Sequence, residues 1–425
     1  MYKYILKLCA LAVTAVMLLG GCSDISRSES SPLPADTETA PVIHVISPGD
    51  TTTVRSAAPV PEDTEPDIER YHRRLSDIRE ENGVYGMSVA VFKDGDIIYT
   101  DCLGLADMDR EIACTKNTRF RAASVSKLIS TILVMKMCDE GAITLQSNLK
   151  TATGLPFNTA GNSEVKLWHL LTHTACVTDT YLFELAGSEK YSAEYILKNS
   201  LTGFQPGTFY NYSNFGAGLM GAVIERITGM YFHDYAEKVL FEPLGMDAGY
   251  IIDLIEDKQS CAVIYDHDGE VFNVPEWRRN RTFYESFGLG NSYLSAQCEL
   301  LITPSDLARL GTALAGDGTV KECGGKRILS EEAIEQMHTS YIETEYFGMG
   351  LNVRIYDGDL VAGRTIYGHP GNALGSITGL FYDRTDGTGV AIMTNRCNYG
   401  TNSGSGLYRF LHDTVNETYR CFFGA

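Results

Sequence analysis

The stretch Phe120-Arg-Ala-Ala-Ser-Val-Ser-Lys-Leu-Ile-Ser-Thr-Ile-Leu-Val-Met-Lys-Met-Cys-Asp-Glu140 constrains the chain more than any other. It reads as a helix stopped by Gly141, with Ser124 and Lys127 in its first turn and Leu128, Leu133, Val134 and Met137 in a long, mostly buried run behind them. Residues three apart share a helix face, so Ser124 and Lys127 meet. A buried lysine that loses its proton can take one from a serine hydroxyl. The helix N-terminus favours the negative charge that then develops. The same spacing recurs at Ser147-Asn-Leu-Lys150, but Thr151 to Pro156 follow without an apolar run, so this copy reads as a surface loop. Ser126 is expected to face away from Lys127.

A chain of 425 residues can hold one large domain or two. Its first residues read as something other than fold. Lys3 and Lys7 precede an apolar run from Leu8 to Leu19, which is the size of an export signal and short for a membrane span. The run ends Leu19-Gly-Gly-Cys22, which resembles a bacterial lipobox. The expectation is a lipoprotein signal over 1–21, a lipidated Cys22, and a domain held at the bacterial cell envelope outside the cytoplasm. Residues 22–65 are rich in Ser, Thr, Pro, Asp and Glu and read as a disordered tether. Residues 66–425 form the domain. A formal charge of −19 leaves no basic footprint for nucleic acid.

Of 11 cysteines, Cys9 leaves with the signal and Cys22 carries the lipid, which leaves nine. Cys102 and Cys114 flank a turn-rich segment and are the best candidate pair for a bridge; scattered buried thiols fit equally well. No Cys-x-x-Cys or His/Cys cluster has zinc spacing, so no metal or cofactor is called for.

Ile68, Tyr71, Leu75 and Ile78 line one face of a helix that Pro66 begins. Met87–Phe92 and Ile97–Tyr99 around Asp94-Gly95 predict a hairpin, with a third short strand over Cys102–Ala106. From about 142 to 300 the pattern is helical and loop-rich, with helices over 165–174, 215–229 and 232–240. Another helix starts at Pro304. Strands return at 348–355, 377–382 and 390–394, and a final helix spans about 405–420. Strands at both ends and helices between them predict a sheet domain split by a helical insertion.

Two further segments look chemical. In Gln205-Pro-Gly-Thr-Phe-Tyr-Asn-Tyr-Ser-Asn214, Tyr212 and Asn214 bracket one residue and so point the same way in an extended loop. A tyrosine beside cations can act as a base, and the asparagine amide can fix a carbonyl or the lysine. In Tyr367-Gly-His-Pro-Gly-Asn-Ala-Leu-Gly-Ser376, ahead of a strand, Gly371 lets backbone approach a ligand. The amides of Asn372 and Ser124 would then make an oxyanion hole, and His369 is cationic or neutral near physiological pH.

Taken together, Ser124-Val-Ser-Lys127, Tyr212-Ser-Asn214 and His369-Pro-Gly371 resemble the motifs of the penicillin-binding-protein and class C β-lactamase superfamily, in its DD-peptidase and esterase branch. Phe120–Lys127, Trp168-His-Leu-Leu-Thr-His-Thr174, Gln205–Gly221, Phe241-Glu-Pro-Leu-Gly-Met246, Thr303–Arg309 and Gly368–Gly371 carry the likeness, from roughly residue 66 to 415. The resemblance implies an α/β (α+β) β-lactamase/transpeptidase-like fold, an antiparallel sheet flanked by helices with an inserted helical subdomain. It implies Ser124 as nucleophile, Lys127 as proton acceptor, Tyr212 as general acid/base and Asn214 as its orienting partner. His369 and Gly371 would border the substrate, and Asn372 would supply an oxyanion amide. His173 would be structural, away from the three motifs. Ala175-Cys176 and Cys298-Glu299 depart from the family pattern, and either thiol is a candidate for sensitivity near the site. Histidine where class C enzymes carry lysine removes a permanent charge and argues against efficient β-lactamase activity. The implied substrates are D-amino-acid peptides of cell wall, then small esters, then β-lactams. The rival from another class is a non-catalytic sensor acylated once. Oligomeric state stays open.

Overall fold

The structure, a computed structural model, describes residues 66–159, 161, 163–179, 192–272, 280–400 and 404–424. The expected signal, Cys22 and the tether lie outside the described residues.

The hairpin forms where Asp94 and Gly95 both adopt left-handed backbone, with φ of 50° and 85°, the conformation a two-residue turn between twisted strands requires. It joins β1 (Gly86–Lys93) to β2 (Asp96–Asp107). The short strand expected at Cys102–Ala106 is the far half of β2, because pairing with β1 continues to Gly104. With β3 (Ile112–Ala113), β4 (Ile342–Glu343), β5 (Gly348–Met349), β6 (Arg354–Asp357), β7 (Thr365–Ala373), β8 (Ser376–Asp383) and β9 (Thr388–Thr394), these strands form one sheet in the order β3-β2-β1-β9-β8-β7-β6-β5-β4. Every neighbouring pair is antiparallel. The strand expected over 348–355 is thus two strands. The segment expected ahead of a strand is itself β7, so His369, Pro370 and Gly371 are strand residues.

Side chains alternate across the sheet. Val89 and Val91 join one core, while Ala90 and Phe92 join another. The first core is covered by α1 (Ile68–Glu81) and α6 (Arg409–Phe422) through Tyr71, Leu75, Ile78, Phe410, Leu411, Val415 and Tyr419. Asp67 caps α1 by accepting from Arg70 N at 2.9 Å. The other core holds α2 (Val125–Asp139), α3 (Asn214–Thr228), the four-residue α4 (Ser295–Cys298) and α5 (Pro304–Ala315). The helix expected over 232–240 stays α-helical to Ala236 and widens into a π turn over Glu237–Phe241. The helix expected over 165–174 contracts to Leu167–Leu171. All nine cysteines among the described residues are free thiols, so the Cys102–Cys114 bridge is not formed. Cys102 sits opposite Ser88 in the β1–β2 pair, whereas the Cys114 thiol lies over Gly86.

Candidate active site

The helix α2, which carries Ser124 and Lys127, begins at a bend. Phe120–Arg121 pairs with Leu301–Ile302, and Ala122 N donates to Leu300 O at 2.7 Å. Ala123 then takes φ of 48°, which turns the chain into α2 with Ser124 at its N-cap. Residues held in left-handed backbone recur where surrounding structure fixes them for function. β7 lies hard against this bend. A Cβ at Gly371 would sit 2.7 Å from Ala122 O, and Thr378 Oγ1 donates to the same carbonyl at 2.8 Å. The glycine makes room for the backbone before Ser124, a protein contact where sequence pointed to a ligand contact.

Lys127 is fully buried. Its Nζ lies 3.0 Å from Ser124 Oγ, 2.9 Å from Asn214 Oδ1 and 2.9 Å from the carbonyl oxygen of Gln297. It also lies 5.0 Å from the centroid of the Tyr212 ring. Asn214 Oδ1 and the Gln297 carbonyl oxygen accept only, so each takes an N–H group of the amine. The remaining position of the tetrahedral nitrogen faces Ser124. In the neutral amine that position is a lone pair aimed at the serine proton. Three of the proposed residues are therefore gathered around one nitrogen, although they start 87 residues apart along the chain.

Asn214 starts α3, and its neighbour Ser213, not Asn214 itself, is the N-cap, accepting from Gly216 N at 2.8 Å. Asp179 holds this corner by accepting from Ser213 Oγ, Asn214 N, Asn214 Nδ2 and Phe215 N at 2.7–2.9 Å. Sequence reasoning missed Asp179 because a carboxylate capping a helix from 34 residues away has no local spacing to betray it. It missed Gln297 because the working group is a main-chain carbonyl.

His173 is at the site, not away from it. Its ring lies 4.4 Å from that of Tyr212, and its Nδ1 accepts from Ser213 N at 3.3 Å. Burial, with the charges of Lys127 and Arg354, pushes its pKa down to about 3. His369 lies on the other side, 6.4 Å from Tyr212 between ring centroids. It is fully buried, and its Nδ1 is 2.6 Å from Pro370 O. A carbonyl can only accept, so the ring proton sits on Nδ1. Burial first, then Arg354 and Lys127, holds the His369 pKa well below the ordinary imidazole value. His369 is therefore neutral near physiological pH and supplies no cation for a substrate carboxylate. Arg354, opposite Gly368 in the β6–β7 pair, is the buried permanent cation nearby, its guanidinium 4.3 Å from the Phe347 ring centroid. Asn372 lies next after Gly371 on β7 and donates from Nδ2 to Tyr408 Oη at 2.8 Å.

The family-departing residues have structural work. Glu299 forms a buried ion pair with Arg121 at 2.5 Å, and Arg121 Nε donates to Cys298 O at 3.1 Å. This clamp holds the segment whose Gln297 carbonyl meets Lys127. Cys176 donates to Phe204 O at 3.2 Å, and burial raises its pKa, which disfavours the reactive thiolate. Ser126 does face away, accepting from Leu300 N at 3.2 Å.

The family model "Beta-lactamase" matches residues 72–409. The chain belongs to the beta-lactamase family. Its curated relatives include "Penicillin-binding protein 4" of Amycolatopsis lactamdurans, 26% identical over 345 residues, covering 77% of this chain and 85% of that protein. "Esterase EstB" of Burkholderia gladioli is 30% identical over 212 residues, covering 45% of this chain and 52% of the esterase. Among solved structures, an octameric penicillin-binding protein homologue from Pyrococcus abyssi superposes with a TM-score of 0.65 at 22% identity, covering 84% of this chain and 79% of that one. This beta-lactamase family member is a serine hydrolase with the β-lactamase/transpeptidase-like fold.

Proposed function

We propose that the chain works through an acyl-enzyme on Ser124, with D-amino-acid peptides as substrates in the manner of a D-Ala-D-Ala carboxypeptidase. The observation that carries the reading is the buried Lys127 amine, 3.0 Å from Ser124 Oγ and 2.9 Å from two acceptors, Asn214 Oδ1 and the Gln297 carbonyl oxygen. Neutral Lys127 takes the proton from Ser124 Oγ as that oxygen bonds to the substrate carbonyl carbon. The carbonyl electrons move onto its oxygen, which the amides of Ser124 and Asn372 face. Collapse of that oxyanion expels the leaving group, which takes a proton from Tyr212, and Lys127 passes the proton taken from Ser124 to the Tyr212 phenolate, so that both groups return to their starting states. A water molecule then repeats the sequence and releases the acid. The likeness to a penicillin-binding protein over 85% of that protein's length supports the peptide substrate.

A second reading, hydrolysis of small neutral esters, is favoured by the buried, neutral His369. A weak β-lactamase activity ranks below both. A panel of D-Ala-D-Ala peptides, p-nitrophenyl esters and nitrocefin, run on one preparation, orders the three. Incubation with a fluorophosphonate or fluorescent penicillin should give one adduct, at Ser124. An adduct that survives Ser124→Ala would sink the assignment. Many product equivalents per site separate this enzyme from a sensor, which gives about one equivalent. The reading includes anchorage to the bacterial envelope membrane by lipid on Cys22; Cys22→Ala should move the protein from the membrane to the soluble fraction.

A further inference from the structure

We propose that Asp179 is a positioning residue that decides which end of the Asn214 amide Lys127 meets, and thereby keeps the lysine lone pair on Ser124. The proposal rests on the acyl-enzyme reading above. Asp179 Oδ2 accepts from both Asn214 N and Asn214 Nδ2 at 2.9 Å, while Oδ1 accepts from Ser213 Oγ at 2.7 Å and Phe215 N at 2.9 Å. A carboxylate accepts and never donates. The NH₂ end of Asn214 must therefore turn to Asp179, and the oxygen end must turn to Lys127, where it lies 2.9 Å from Nζ. A flipped amide would place oxygen against carboxylate and NH₂ against the amine.

The flip matters because of what a neutral amine has to offer. It carries two N–H groups and one lone pair. With Asn214 Oδ1 and Gln297 O as acceptors, each draws an N–H group of the amine, which lets the lone pair turn to Ser124 Oγ, 3.0 Å away. With an NH₂ group in place of Oδ1, the lone pair would accept from Asn214 and turn away from the serine proton. The base would still be present and still be buried, but it would be occupied. Asp179 also engages the N–H groups of Asn214 and Phe215 in the first turn of the fifteen-residue helix α3, so the same carboxylate fixes the helix end and the amide it carries.

Asp179→Asn is the decisive variant. Its amide has one acceptor oxygen where the carboxylate has two, so the demand that the NH₂ end of Asn214 face this position is weakened and the flipped amide gains population. We expect kcat for a p-nitrophenyl ester to fall by about tenfold to a hundredfold, with KM changed by less than about threefold, because the lost step is proton transfer and not substrate contact. In an Asn214→Ala background the same substitution should cost less than about twofold, since no amide remains to flip. Ser213→Ala removes the α3 cap and one Asp179 partner without freeing the amide. It should lower the melting temperature by about 2 °C yet keep kcat within about threefold. An equal loss of kcat in Asp179→Asn and Ser213→Ala would overturn the proposal, as would a full Asp179→Asn effect without Asn214. A readout independent of turnover is the side-chain NH₂ resonance of Asn214 in a ¹⁵N–¹H spectrum, assigned by its loss in Asn214→Ala. It should shift on Asp179→Asn, and an unmoved resonance would refute the proposal. A native protein that leaves Ser124 unlabelled by fluorophosphonate would remove the proposed function, and the amide resonance would still decide the role of Asp179.

Discussion

Ser124–Lys127 and Ser147–Lys150 carry one spacing in two settings. Around Ser147, the hydroxyl accepts from Thr144 N at 3.1 Å, and the exposed Lys150 reaches Asn158 Oδ1 at 2.6 Å. That region is a short helix, Leu149–Thr153, capped by Asn148, where a loop was expected. Its serine closes a turn and its lysine is hydrated. Around Ser124, the lysine is stripped of water, its three positions are assigned by neighbours from α2, α3 and the end of α4, and the serine faces the last of them. The spacing supplies proximity in both places. Desolvation and the acceptor set supply chemistry in only one.

Four experiments test that contrast. The largest effect should come from the serines themselves. Ser124→Ala should lower kcat/KM by about a millionfold, to the assay background, while Ser147→Ala should leave it unchanged. Comparable losses in the two variants would erase the distinction. Next, Lys127→Ala should cost about a hundredfold to ten-thousandfold in acylation rate, measured as adduct formation over time. Lys150→Ala should cost nothing measurable, and a near-normal Lys127→Ala would remove the base.

Burial supplies the third test. Glu299→Ala leaves Arg121 charged and buried, and should destabilise the fold by about 3–5 kcal/mol in chemical denaturation. The exposed pair Lys198–Glu194, at 3.2 Å, should yield less than about 1 kcal/mol when broken.

The smallest effect is acid sensitivity. Folding holds the pKa of His173 at about 3 and that of His369 well below its ordinary value. The unfolded chain therefore binds protons first as pH falls through about 6.5, so stability is flat above that pH and declines below it. Between pH 7 and pH 5 His173 should remove about 2 kcal/mol, and His369 should lower stability in the same direction. Denaturation midpoints at the two pH values check this, and an unchanged midpoint would mean that the rings flanking Tyr212 are hydrated.

Much of this was legible because local chemistry and tertiary structure agree. Asp94-Gly95 demanded a turn, and the apolar run behind Lys127 demanded a buried helix. Tyr212 and Asn214 do reach the same lysine, though through a helix start in place of an extended loop. What escaped has a common physical cause. His369-Pro-Gly looks like a turn because proline and glycine usually punctuate; here proline sits in a strand, and glycine makes space for the Ala122 carbonyl. His173 looked remote because its partner, Tyr212, is contributed by a different segment. Asp179 and the Gln297 carbonyl act at long sequence separation, where no periodicity reports them.

β3 covers only Leu105 and Asp107 of the twelve-residue β2, and β6 covers β7 only from Thr365 to Gly368, so both longer strands keep open ladder positions. The terminal strand β4 is two residues long and adds an exposed Glu343. Strand addition from another chain should therefore engage β2 or the Gly371 end of β7, and not the two-residue strands β3 and β4.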